Sequence, residues 1–88
     1  MNKQLVETIA RNLKDDEQEI LNELQTKEEC YCAIKLSSEE GETLITLHMS
    51  DDEIEKSITE AVNEVFESKG VIDVFISQSR EIISFTII

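Results

Sequence analysis

Hydrophobic residues recur every three or four positions over residues 3–25, at Leu5, Val6, Ile9, Ala10 and Leu13 and then at Ile20, Leu21 and Leu24. That spacing lines one side of an α-helix. Asp15, Asp16 and Glu17 interrupt the stripe, and Asp16 with Glu19 has the spacing of a capping-box start. The pattern admits two short helices broken near Lys14; we favour one helix, bent or frayed there.

From Glu29 the period changes to two. Cys30, Cys32, Ile34 and Leu36 alternate with Tyr31, Ala33 and Lys35, the signature of a strand buried on one side. Ser37-Ser38-Glu39-Glu40-Gly41 has turn chemistry, with Gly41 free to take a positive φ. Thr43, Ile45, Leu47 and Met49 then alternate with Leu44, Thr46 and His48, so the two segments predict a β-hairpin.

The second helix has the clearest start signal. Ser50 and Glu53 match the S-x-x-E capping box, Met49 and Ile54 occupy the two positions of a hydrophobic staple, and Asp51 and Asp52 complement the helix dipole. Ile54, Ile58, Ala61, Val62 and Val65 supply an apolar face. Gly70 follows Lys69 as a C′ residue, with Val71 where a Schellman motif places an apolar contact, so the helix is expected over 51–69.

Beyond it, Ile72, Val74 and Ile76 alternate with Asp73, Phe75 and Ser77, and Gln78-Ser79-Arg80 turns the chain into a last segment that is apolar on both faces through Ile88. A strand of that kind is central in a sheet or covered by a partner. A short echo, Leu21-Asn22-Glu23-Leu24 and Val62-Asn63-Glu64-Val65, closes each helix before its hairpin. The expected fold is therefore α+β, a single domain over 1–88. It is a two-layer α/β sandwich of order α-β-β-α-β-β, whose four-stranded antiparallel sheet has strand order 1-2-4-3 and both helices on one face.

Charge changes this picture most. Twenty acidic residues against eight basic ones give a formal net charge of −12. High net charge is a signature of disorder, but the apolar residues here are periodic, Pro is absent and there are only two Gly. A surface so negative repels nucleic acid and anionic membranes and attracts basic surfaces. No apolar run approaches the roughly 20 residues of a membrane helix, and the residues after Met1 do not read as a targeting segment. Cys30 and Cys32 lie two apart on one strand face, about 6 to 7 Å from each other, too far for an unstrained disulfide. A soluble protein of the reducing cytoplasm is expected, the host cytoplasm if a phage encodes it.

Chemistry is sparse. Cys30, Cys32 and His48 invite a metal reading, but structural zinc takes four ligands, and the alternation places His48 on the face opposite the cysteines. A Cys–His dyad meets the same obstacle. Two well-separated glycines make no phosphate-binding loop. The runs Asp15-Asp16-Glu17-Glu19 and Asp51-Asp52-Glu53-Glu55 lack the alternating ligands and central Gly of a calcium loop. We expect no catalytic residues, no metal, no cofactor and no enzyme activity.

Two surfaces remain. Glu53, Glu60, Glu64 and Glu67 fall along one side of the second helix with Lys56 as the main offset, and the hairpin tip adds Glu39, Glu40 and Glu42. Carboxylates about 5 to 6 Å apart on a helix imitate a phosphate backbone in sign and spacing. If Cys30, Ile34, Ile45, Leu47, Ile72, Val74, Ile83 and Phe85 face the helices, the outer sheet face shows Tyr31, Ala33, Leu44, Thr46, His48, Phe75, Ile82 and Ile88. An apolar patch of that size suits docking or a homodimer, with Tyr31, Leu44, His48, Phe75 and Ile82 at its centre.

In size, charge and lack of catalytic residues the chain is similar to the small acidic proteins with which phages block host nucleases and DNA-binding complexes, nucleic-acid mimics and anti-CRISPR inhibitors among them. That likeness implies an inhibitor or regulator that occupies a basic, nucleic-acid-binding surface of a protein partner, without touching nucleic acid or membrane itself. The alternative is a small interaction module or homodimer that uses the apolar sheet face, its acids serving solubility alone.

Overall fold

The first helical stripe divides at Asp16. In the computed structural model, which describes residues 3–36, 41–67 and 69–88, α1 spans Lys3–Asp15 and α2 spans Glu17–Lys27. Asp16 leaves helical geometry (φ −110°, ψ 18°) and its side chain caps nothing. Its N–H donates to the Leu13 carbonyl and its own carbonyl accepts from Ile20 N–H, so the chain swivels without losing its hydrogen bonds. The break re-aims the apolar stripe. Leu5, Val6, Ile9 and Leu13 stay in the core with α1, while α2 turns Ile20 inward and packs against the first strand.

That strand, β1 (Cys30–Lys35), is followed by a short helix α3 (Glu42–Thr46), the long helix α4 (Asp51–Val65), and strands β2 (Val71–Ile76) and β3 (Ile82–Ile87). The sheet has three antiparallel strands in the order β1-β3-β2. The expectation of four strands fails at 43–49. Over so short a segment, alternation and helical spacing are both satisfied, and coiling lets Thr46 and Met49 turn inward one helical turn past Glu42 while Leu44 and Leu47 face solvent. The edge that a hairpin would have extended is β1, and α2 packs there instead. Removing the missing strand from the expected order leaves the last strand central, as found.

Helix α4 starts as its sequence demands. Ser50 Oγ accepts from Glu53 N–H at 3.2 Å and its hydroxyl lies 3.3 Å from the Glu53 carboxylate. Met49 and Ile54 are both buried. The helix ends at Val65 rather than at 69 because Phe66 turns extended (φ −127°, ψ 105°) and buries its ring. Gly70 forms no Schellman cap. It pairs with Ile88 through two hydrogen bonds of 3.1 and 3.0 Å, and a β-carbon there would press on the Ile88 side chain at 3.3 Å.

β3 has Ile83, Phe85 and Ile87 on its helix-facing side, all fully buried against residues of α1 and α4 such as Leu5, Ile9, Ile54 and Ile58. Burial of this apolar surface is the main force holding the layers together. Across β2 the register slips: Ile72 faces Thr86 and Phe75 faces Ser84, so Asp73 and Val74 together oppose one residue. Asp73 takes φ +55° to accommodate this β-bulge. One extra residue exchanges faces along the strand. Val71, Val74 and Ile76 point inward, whereas Ile72, expected on the helix side, lies on the outer face with Phe75. The Gln78-Ser79-Arg80 turn forms as expected, closed by Ser77 N–H to Ile82 O at 2.9 Å. Among the described residues no helix is long and apolar enough to cross a membrane.

Candidate functional site

On α4, residues Ile54, Ser57, Ile58, Ala61 and Val62 are buried, which fixes the opposite side toward solvent. Glu53, Glu60 and Glu64 occupy that side, seven and four residues apart, with Lys56 beside them. All four are exposed. Among the described residues no ion pair neutralises these glutamates. Glu67 is exposed too, but it lies beyond the end of the helix. Asp51, in the first turn, pairs with Arg80 at 2.8 Å and ties the β2–β3 turn to the start of α4. Glu39 and Glu40 lie outside the described residues, and Glu42 opens α3 rather than a strand. Of the expected acidic surface, the described part that lies along one helix is Glu53, Glu60 and Glu64 on α4.

The outer sheet face is uncovered. Tyr31 is 67% exposed and Phe75 58%, with Ile72, Ile82 and Ile88 each above 40%. Between the strands that carry them, Ser84 and Thr86 of β3 are buried despite facing outward: they are short side chains on the central strand, with Phe75 beside Ser84 and Tyr31 and Ile72 on either side of Thr86. Leu44 and His48 are exposed but do not belong to this face, since α3 and the turn after it replace the strand expected there; Thr46 is fully buried. Ile72 is the member that alternation misses. The sign of it was Asp73, a residue disfavoured within strands and tolerant of left-handed backbone, set between apolar pairs.

Cys30 and Cys32 open into a cleft of about 480 Å³ between α2 and β1, whose lining includes Asp16, Glu19 and Glu23 and does not include His48. Both thiols are free. Burial, then a hydrogen bond to Glu23, pushes the Cys30 thiol well above the ordinary range, and burial raises Cys32 as well. Neither is a thiolate near neutral pH, and the thiolate is the nucleophile and the metal ligand. The Cys30 hydrogen bond and, after it, Lys27 hold the Glu23 carboxyl below its usual range. Among the described residues no three His, Cys, Asp or Glu side chains converge as a metal site.

Compared with known protein families, curated proteins and solved structures, the chain matches none.

Proposed function

We propose that this chain is a non-enzymatic acidic binding protein, an inhibitor or regulator that occupies a basic, nucleic-acid-binding surface of a protein partner in the manner of a phage anti-defence nucleic-acid mimic. The observation that carries this reading is the solvent side of α4. Among the described residues Glu53, Glu60 and Glu64 have no ion-pair partner, and the other side of their helix is buried in the core. Like charges along one helix repel one another and are relieved by a cationic surface. Because the helix that carries them is already formed, binding need not bear the entropy of ordering its backbone.

Binding of this kind is fast and weakens steeply with salt. The test is capture from an extract of the native host on immobilised protein, with mass spectrometry of what is retained. A basic nucleic-acid-binding protein retained at low salt and released at high salt supports the proposal. Retention of no basic protein at all contradicts it.

A further inference from the structure

We propose that the open sheet face is a self-association surface, on which a second copy of this chain docks sheet to sheet about a two-fold axis. It rests on the sheet alone, independently of the role given to α4. The outward strand positions are Tyr31, Ala33 and Lys35 on β1, Ile82, Ser84 and Thr86 on β3, and Ile72 and Phe75 on β2. In a chain of net charge −12, none of these is a carboxylate; the exposed acids nearest to them are Asp73, at the β2 bulge between Ile72 and Phe75, and Glu23 and Glu29 beside Tyr31, Glu23 being paired with Lys27. A second copy carries the same charge, so it can approach only where that charge is missing.

The face is also complementary to itself. A two-fold axis running across the strands at the level of Cys32 and Phe85 lays each strand antiparallel over its own counterpart. The register then sets Tyr31 over Ala33 of the second copy, Ile72 over Phe75, Ile82 over Ile88, and the Lys35 cation toward Glu29. Tyr31 meets the small Ala33, apolar side chains meet apolar ones at the other two positions, and cation meets anion, each contact occurring twice, as an isologous interface requires. The aromatic rings offer on the order of 150–250 Å² each when fully buried. At the exposures found, the large apolar side chains present roughly 500 Å² per copy, so they contribute at most about 1,000 Å² to an interface between two copies, the lower limit for a specific interface. Sheets stack about 10 Å apart with the helical layers outermost, which separates the two α4 helices by about 30 Å, several screening lengths. The acidic faces end up on opposite sides of the pair.

Sedimentation equilibrium over a range of concentrations, in low and high salt, tests this. Wild type is expected to reach twice its 10.1 kDa mass, with the dimer equal or tighter in high salt because the remaining repulsion is screened. Phe75→Glu, at an exposed position that leaves the circular-dichroism spectrum unchanged, should weaken the dimer about 30-fold or more. Lys35→Glu should weaken it less, and Lys35→Glu with Glu29→Lys should restore it. The dimer should survive Glu60→Lys/Glu64→Lys. A wild-type monomer at every concentration and salt, a Phe75→Glu variant as dimeric as wild type, or a double exchange that fails to restore association would overturn the proposal. A monomer that still captures a basic partner in a salt-sensitive way would leave the reading of α4 standing.

Discussion

Two phenylalanines on adjacent strands of one sheet meet opposite fates. Phe85 on β3 points to the helices and is fully buried, while Phe75 on β2 points away and keeps 58% of its surface in solvent. The covered face closes with Ile83, Phe85 and Ile87 against α1 and α4, and that closure is where folding gains its apolar burial. The open face has aromatic and β-branched residues too, but among the described residues no helix lies over it. Folding does not need what the open face offers, so the free energy latent there is available to association. The acids follow the same division in the main: Glu53, Glu60 and Glu64 decorate the far side of the helical layer, while the strands of the sheet carry one acid, Asp73, at the β2 bulge.

Substitutions on either side of the sheet test that division. Phe85→Ala should be the most damaging, lowering stability by about 3–5 kcal/mol through lost burial and a cavity; chemical denaturation would measure it. A much smaller loss would mean that the helical layer packs loosely. Ser50→Ala removes the hydroxyl that caps α4 and should lower stability by about 1 kcal/mol. No loss would mean that the Asp51–Arg80 pair and the Met49–Ile54 contact hold the helix start without the cap. Phe75→Ala should change monomer stability by no more than about 0.5 kcal/mol, measured in dilute solution where copies do not meet. A loss like that of Phe85→Ala would show that the open face contributes to the fold after all.

Where the residues constrain structure locally, the sequence is readable. Ser50, Glu53, Met49 and Ile54 mark the start of α4 without reference to the rest of the chain, and the two-sided apolar pattern of 82–88 places β3 at the centre of the sheet. What escaped depends on competition over distance. Residues 43–49 satisfy both periods, and their outcome is settled by α2, which takes the flank of β1 only because the chain breaks at Asp16. The stripe registers that break as three acids and the capping-box spacing of Asp16 with Glu19, signals that the single bent helix we favour passes over and that the two helices bear out. Likewise Gly70 reads as a helix stop until its pairing with Ile88 is seen, and Phe66, a residue the helical pattern leaves unassigned, is the one that ends α4 by burying its ring. The candidate site divides in the same way. Exposure of Glu53, Glu60 and Glu64 follows from the helical period once the buried side is known, and Tyr31, Phe75 and Ile82 fall outward by alternation. Ile72 joins them through a bulge at Asp73, while Leu44 and His48 leave the sheet face because their strand does not form.

The most direct test sets three baits side by side in the same host extract at low and high salt: wild type, Glu60→Lys/Glu64→Lys and Phe75→Glu. The account predicts a basic partner that wild type and Phe75→Glu both retain at low salt, that high salt releases, and that the α4 double reversal does not retain. A partner retained by the reversed helix and lost with Phe75→Glu would contradict it, moving the functional surface from the acids of α4 to the open face of the sheet.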